Sequence, residues 1–276
     1  MNDSSAESLD VWESAPVSHW RDRWRLPHLV ILANTTSTND VLRRLAEDGA
    51  DAGTVVMAES QTAGRGQEAR RWVAPPGKAL LISVLLRGAS RLSRPIDPGT
   101  APVRVGLALC RAIPAVTNVD VRIKWPNDIV HAGRKLAGIL CEGATGSRGA
   151  FVVAGIGLNV LQNEHDWPDD LRAPATSLLL LTGHAISRAA IAEALLGHLR
   201  PFRLTGRALD EETIARYGAV DAVAGLPITV NGVAAGIAAG IAPDGALVVQ
   251  TRHGTRTIRA GTVRIAGAST QSQGTS

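Results

Sequence analysis

Between two apolar runs, Thr54–Met57 and Leu80–Leu86, the chain carries a connection rich in glycine and arginine. It reads Gly64-Arg65-Gly66-Gln67-Glu68-Ala69-Arg70-Arg71-Trp72 and continues to Pro75, Pro76, Gly77 and Lys78. The flanking runs read as strands, so the neighbouring elements must be arranged around a loop here. Glycine lets a backbone approach a ligand closely, and successive N–H groups in such a loop can cradle an anion. Arginine adds a planar fork that suits carboxylate or phosphate. Taken alone, the stretch reads equally well as a flexible surface loop with solvated charges.

The bulk numbers narrow the class. A chain of 276 residues suits one large domain, or one large and one small. A hydrophobic share of 45% is enough for a sizeable core. No apolar run is long enough to span a bilayer, and the start, Met1 to Asp10, lacks the order of a secretory signal. A cytoplasmic protein without a membrane partner is expected. Cys110 and Cys141 imply no disulfide framework, and neither has metal-ligand spacing to histidine, so both read as buried thiols. The net charge of +4 is compatible with nucleic-acid binding but weak evidence for it. No helix-turn-helix pattern is present, and anionic small substrates explain the basic loop equally well.

Residues 1–26 read as a polar N-terminal tail, yet Trp12, Trp20 and Trp24 lie in it, half of the six tryptophans. Disorder and docking on the body are both open, since large apolar rings are costly to leave wet. Leu29–Leu32 reads as a strand. Thr36-Ser37-Thr38-Asn39 precedes helically spaced Val41, Leu42, Leu45 and Ala46, so a hydroxyl N-cap is expected there. A helix N-terminus binding a polar ligand group is the sharper reading. Pro102–Ile113 reads as a helix, and Val121–Trp125 as a short strand. After the turn Pro126-Asn127-Asp128, a β-hairpin carrying Lys124 and Lys135 is expected. Phe151–Ala154 reads as a strand running into Gly155-Ile156-Gly157-Leu158-Asn159. Ser187–Phe202 reads as an amphipathic helix with Ile191, Leu195, Leu196 and Leu199 on one face. Composition changes near Thr213. Turns at Asn231-Gly232, Asp244-Gly245 and His253-Gly254 then separate five short strands, the pattern of a small β-barrel.

These motifs together resemble the biotin protein ligases over about Leu29 to Ile265. The resemblance rests on Ser37-Thr38-Asn39, on Gln61 with Gly64-Arg65-Gly66, and on Arg70 with Trp72. It rests further on Lys124-Trp125-Pro126-Asn127-Asp128, Lys135-Leu136-Ala137-Gly138-Ile139-Leu140 and Gly155-Ile156-Gly157-Leu158-Asn159. It implies an α+β chain: a class II aminoacyl-tRNA-synthetase-like catalytic domain, a mixed sheet with helices, over 27–212. An SH3-like β-barrel over 213–267 and a disordered tail over 268–276 would follow. No room is expected for the winged-helix repressor domain that some relatives carry.

The implied reaction activates biotin with ATP to biotinyl-AMP and passes biotin to a lysine of a biotin carboxyl carrier domain. The resemblance implies catalytic roles for Lys135, Arg65 and Arg70. Ser37, Thr38, Asn39, Gln61, Gly64, Arg65, Gly66, Lys135, Gly138 and Gly157 would bind biotin, the last two glycines leaving room for its ring and chain. Arg70, Trp72, Lys124, Asn127, Lys135 and Asn159 would serve the nucleotide, and Asp128 a Mg²⁺ ion carried by ATP. A monomer or weak homodimer without a specific nucleic-acid partner is expected. A lipoate-type ligase on the same fold, or a noncatalytic biotin-binding protein, are the alternatives. Relatives usually continue the glycine loop with a basic residue where this chain has Gln67, then Glu68.

Overall fold

The computed structural model describes residues 7–67, 70–87, 97–172, 174–199 and 208–267. An N-terminal segment carries two short strands, β1 (Val11–Trp12) and β2 (Ala15–Pro16), and helix α1 (Val17–Arg23). The body follows with β3 (Leu29–Thr35), α2 (Thr38–Glu47), β4 (Val55–Gln61), β5 (Ala79–Arg87) and α3 (Ala101–Thr117). It continues with β6 (Arg122–Lys124), β7 (Asp128–His131), β8 (Arg134–Gly146) and β9 (Gly149–Asn159), then α4 (Asp169–Arg172), α5 (Leu178–Thr182) and α6 (Arg188–Leu199). Helix α7 (Glu211–Val220) leads into β10 (Pro227–Val230), β11 (Val233–Ile241), β12 (Leu247–Thr251), β13 (Gly254–Ile258) and β14 (Val263–Ile265).

Strands β3 to β9 form one mixed seven-stranded sheet in the order β3-β4-β5-β9-β8-β7-β6. The pair β3/β4 is parallel and the others are antiparallel. The apolar run of β5 is buried from Ala79 to Leu86 because the sheet is covered on both faces. On one face Leu42 and Ala46 of α2 pack on Val56, Leu85, Phe151 and Val153. On the other, Leu107, Leu109 and Ile113 of α3 and Ile191, Leu195 and Leu196 of α6 join Ile82, Val84, Val152 and Ile156. This three-layer arrangement follows from side-chain alternation: neighbours along β9 feed opposite layers.

Three local expectations change in the folded chain. The expected hairpin around Lys124 and Lys135 is a meander of β6, β7 and β8. The strand readings Lys135–Leu140 and Phe151–Ala154 are parts of longer β8 and β9, which pair as one hairpin across Ser147 and Arg148. Polar and glycine residues at the ends of this hairpin hide it from a hydrophobicity pattern. At α2, Ser37 occupies the N-cap position but its side chain makes no capping bond. The Thr38 N–H instead donates to Gln61 Oε1 at 2.8 Å, so a residue of β4 caps the helix across space.

The five C-terminal strands form an antiparallel sheet in the order β13-β12-β11-β10-β14. Asn231 and Gly232, φ 52° and 80°, make the turn between β10 and β11. Thr213, where composition changes, lies inside α7, whose N-cap Asp210 accepts from the Thr213 N–H at 2.8 Å. The C-terminal part rests on the body: Ala222 N–H, between α7 and β10, donates to Ile123 O at 2.9 Å, and Trp125 Nε1 donates to Gly245 O, in the turn between β11 and β12, at 3.0 Å. Among the described residues, no helix is long and apolar enough to cross a membrane. The expected tail 268–276 and the reading of α6 as far as Phe202 fall outside the described residues.

Residues 7–26, for which disorder and docking were both open, dock. Leu9 N–H donates to Ile31 O at 2.7 Å and Ala33 N–H to Glu7 O at 2.9 Å, so the segment runs antiparallel along the outer edge of β3. Covering an edge strand removes a template for unwanted pairing. Trp12 meets Trp20 and Trp24 edge-on, with ring centroids 6.0 and 6.1 Å apart. The buried Arg188 of α6 lies 5.3 Å from the Trp12 ring centroid and pairs with Glu13 at 2.8 Å and Glu59 at 2.9 Å. Removing one partner of such a buried pair leaves the other charge uncompensated. We expect Arg188→Ala to lower the unfolding free energy by about 3 kcal/mol in urea titrations. A loss near zero would mean the segment is fastened by the tryptophans and the backbone bonds to β3 without help from this ion pair.

Candidate active site

The α2 face of β9 lays out a floor. Gly155, Gly157 and Asn159 alternate along one face of the strand, and each supports a different neighbour. A Cβ on Gly155 would lie 2.2 Å from Asn39 Oδ1, and one on Gly157 would lie 2.5 Å from Cε2 of Trp72. Both positions therefore require glycine. Across the hairpin Gly138 pairs with Gly157, and a Cβ there would lie 3.1 Å from Cζ3 of Trp72. The room expected above these two glycines is thus occupied by the Trp72 indole, which lies against bare backbone.

Lys135 reaches the same floor through a β-bulge. Opposite β7, Asp128 faces Gly138 and Val130 faces Lys135, with Leu136 the extra residue. Plain alternation would send Lys135 and Gly138, three positions apart, to opposite faces. The bulge returns both to one face and turns Leu136 into the core. Lys135 Nζ then lies 2.6 Å from Asp128 Oδ1 and 5.8 Å from the Trp72 ring centroid.

A cavity of about 470 Å³ opens over this floor. Of the residues singled out from sequence, Ser37, Thr38, Asn39, Gln61, Arg65, Gly66, Arg70, Trp72, Lys124, Asn127, Asp128, Lys135, Gly138, Gly157 and Asn159 all line it. Gly64 lies just behind, its carbonyl accepting from the Trp72 N–H at 2.9 Å. Together with the bond from Gly66 N–H to Arg70 O at 2.7 Å, this curls the loop into a short ladder. Gln67 lines the cavity, and Glu68 lies outside the described residues. Arg71 Nη2 donates to Thr62 O at 2.7 Å.

The polar groups divide into two sets. At the α2 N-terminus, Thr38 bonds Gln61, and Ser83 Oγ lies 2.8 Å from Thr38 Oγ1 and 2.6 Å from Asn39 Oδ1. Asn39 Nδ2 donates to Glu142 Oε2 at 2.6 Å. Arg65 is held by Asp40 at 2.7 Å and by Glu142 at 3.1 Å, and Arg43 pairs with Glu142 at 2.7 Å. Burial pushes the Glu142 carboxyl up, but Asn39, Arg65 and Arg43 outweigh that and hold it below the usual carboxylate range.

The second set is cationic. Burial, with Lys135, Arg264 and Arg70 nearby, pushes the Lys124 ammonium below the usual lysine range against the pull of Asp128. Arg70 Nη2 donates to Thr262 Oγ1 at 2.8 Å, so the C-terminal sheet reaches this part of the cavity through Thr262 and Arg264. Asn127 and Asn159 are buried and spend their amides on the walls: Asn127 Nδ2 on Ile139 O at 2.8 Å, Asn159 Nδ2 on Thr176 O at 3.0 Å. Among the described residues, no group of three or more His, Cys, Asp or Glu side chains is placed to hold a metal ion.

Sequence reading missed Ser83, Asp40, Glu142, Thr262, Arg264 and Trp167 as parts of, or supports to, the site. Ser83 alone left a signal, a single hydroxyl in an otherwise apolar strand. Asp40 and Glu142 adjoin predicted motifs but carry no pattern of their own, and Thr262, Arg264 and Trp167 are distant in sequence from the motifs they join.

Two family models match the chain: the biotin/lipoate A/B protein ligase family over residues 31–159 and the biotin protein ligase C-terminal domain over 228–265. The bifunctional ligase/repressor BirA of Bacillus subtilis is 32% identical over 236 residues, covering 84% of this chain and 72% of that protein. The biotin–[acetyl-CoA-carboxylase] ligase of Mycobacterium tuberculosis is 38% identical over 201 residues, 71% of each chain. The solved structure of the Aquifex aeolicus biotin protein ligase in complex with biotin and ATP is 25% identical. It superposes with a TM-score of 0.71, covering 87% of this chain and 100% of that one. Family matches over residues 31–159 and 228–265, and similarity in sequence and structure over most of the chain, lead to one conclusion: this chain belongs to the biotin protein ligases.

Proposed function

We propose that this protein activates biotin with ATP to biotinyl-5′-AMP and transfers the biotinyl group to a lysine of a biotin carboxyl carrier domain. The observation that carries this reading is the charge imbalance beside the glycine floor. Lys135, Arg70 and Arg264 lie around Lys124, and among the described residues Asp128 is the one carboxylate lining the cavity there. Such an excess suits a site where a carboxylate must approach a triphosphate, because the two anions repel unless cations lie between them.

In the first step a biotin carboxylate oxygen forms a bond to the α-phosphorus, and the bond to the bridging oxygen breaks as pyrophosphate leaves. In the second, the neutral lysine amine attacks the acyl carbon, the C–O bond to phosphate breaks, AMP leaves with the electron pair, and the nitrogen gives up one proton to solvent as the amide forms. Phosphoryl transfer is mostly positioning and electrostatics. Lys135 is proposed to stabilise carboxylate and α-phosphate together, since a compact ammonium can face both. Arg65 and Arg70 are proposed to contact carboxylate and phosphate oxygens. Thr38, Ser37 and Gln61 are proposed for the polar ureido head of biotin, and Trp72 for the boundary between biotin and nucleotide. Magnesium commonly binds through one or two carboxylates plus nucleotide phosphates. Asp128, the carboxylate beside the cationic cluster, is proposed to hold it. The mixed sheet is read as class II synthetase-like and the five-stranded C-terminal sheet as an SH3-like barrel.

Two substitutions test the reading. Lys135→Ala should leave circular dichroism unchanged, because its pair with Asp128 is partly exposed. It should slow biotin-dependent pyrophosphate exchange by about 10²–10³-fold, the usual loss of one preorganised donor. Near wild-type exchange would remove Lys135 from the chemistry. Running the assay on wild type with lipoate in place of biotin tests the substrate directly, and faster exchange with lipoate would overturn the proposal. Gly157→Ala should push Trp72 off its seat and raise the KM for biotin roughly tenfold, since overpacking commonly costs about 1–3 kcal/mol. A KM within twofold of wild type would place biotin's path away from this floor.

A further inference from the structure

We propose that Glu142, which does not line the cavity, is the positioning residue for the biotin end of the site, setting Asn39, Thr38 and Arg65 at once. The inference rests on the biotin-ligase reading above. Glu142 sits midway along β8, on the strand that brings Lys135 and Gly138 to the floor. Its two oxygens take three donors from two parts of the chain. Asn39 Nδ2 and Arg43 come from α2, and Arg65 comes from the glycine loop, at 2.6, 2.7 and 3.1 Å.

The consequence is directional. An ionised carboxylate only accepts, so Asn39 must turn its NH₂ toward Glu142 and its carbonyl oxygen away. That oxygen, also an acceptor only, must take the Ser83 proton across 2.6 Å. Ser83 has a single proton, so its remaining bond at 2.8 Å is accepted from Thr38 Oγ1. Thr38 Oγ1 has two oxygen neighbours, Ser83 Oγ at 2.8 Å and Gln61 Oε1 at 3.1 Å; the shorter contact takes its proton, Gln61 Oε1 is held by the Thr38 N–H at 2.8 Å, and Thr38 Oγ1 is left to accept from the cavity it lines. A ligand N–H is the matching partner, as in a cyclic urea. Ser83 is wholly buried, so water does not compete for this chain. The same carboxylate fixes one side of the Arg65 fork while Asp40 holds the other at 2.7 Å.

The variant that isolates this is Glu142→Gln, which keeps shape and burial. A carboxamide offers both a donor and an acceptor, so the orientation of Asn39 then rests only on the longer bond from its Nδ2 to Leu140 O at 3.3 Å, and the direction of the chain is weakened along with the charge on Arg65. We expect the KM for biotin to rise about tenfold or more, the scale of a hydrogen bond to a charged group. The KM for ATP should stay within twofold. Arg43→Ala, which removes a partner of Glu142 without touching Asn39 or Arg65, should leave both KM values within twofold. A structural role alone would lower the melting temperature without separating the two substrates. If Glu142→Gln does not fold, Ser83→Ala interrupts the same chain and should raise the biotin KM while sparing that for ATP. A folded Glu142→Gln with an unchanged biotin KM, or with both KM values raised alike, would overturn the inference. So would an unchanged biotin KM in Ser83→Ala. Wild-type turnover of biotin is measured in the same assay: its absence would sink the proposed function, whereas its presence beside an unaffected variant would sink only the role of Glu142.

Discussion

The pairing of β8 with β9 places Gly138 opposite Gly157, and the site depends on that side-chain-free patch. Trp72 can lie on the sheet only because no Cβ stands there. The seated indole in turn anchors the end of the glycine loop, whose Gly64 and Gly66 bond back to Trp72 and Arg70. The patch therefore links the interior of the sheet to a basic loop that would otherwise be free in solvent. Strand β9 carries both layers at once, with Val152, Ala154 and Ile156 in the core against the helices and Gly155, Gly157 and Asn159 toward the cavity.

Charge pairs in the molecule divide by burial. Lys135–Asp128 and Arg65–Asp40 have side chains between a fifth and two fifths exposed. Pairs of that kind contribute about 0–1 kcal/mol, so substrate oxygens can exchange with the carboxylates at small cost. Arg188, with 9% of its side chain exposed, binds Glu13 and Glu59 where no substrate competes. The first pairs suit a site that must bind and release anions. The second suits a fastening between the N-terminal segment and the body. The C-terminal sheet touches both kinds of region, through Trp125–Gly245 in the core and Arg70–Thr262 at the cavity.

Much of the fold was legible because its signals are local. The apolar run of β5, the helical spacing of α2, α3 and α6, and the turns at Asn231-Gly232, Asp244-Gly245 and His253-Gly254 each depend on residues within a few positions. The long ends of β8 and β9 were not legible, because their pairing is satisfied by backbone bonds that leave no apolar pattern. The cap of α2 was misread for a related reason. Ser37 has the right residue type and position, but Gln61, distant in sequence, reaches the first free N–H.

The site divides along the same line. Sequence alone determined most of the residues that gather at the cavity, because the Gly-Arg-Gly loop, the Lys-Trp-Pro-Asn-Asp run and the Lys-Leu-Ala-Gly run each keep their chemistry within one short motif. What only the tertiary structure decided is how those residues face one another. The bulge at Leu136 puts Lys135 and Gly138 on one face, although strict alternation separates them. Trp72 lies on the glycine floor, Arg264 arrives from the C-terminal sheet, and Ser83 and Glu142 set the hydrogen-bond chain behind Thr38 and Asn39. The physical reason is range. Periodicity and turn chemistry act over a few residues, whereas a bulge, a close backbone approach and a proton's direction are settled by partners that only the folded sheet brings together.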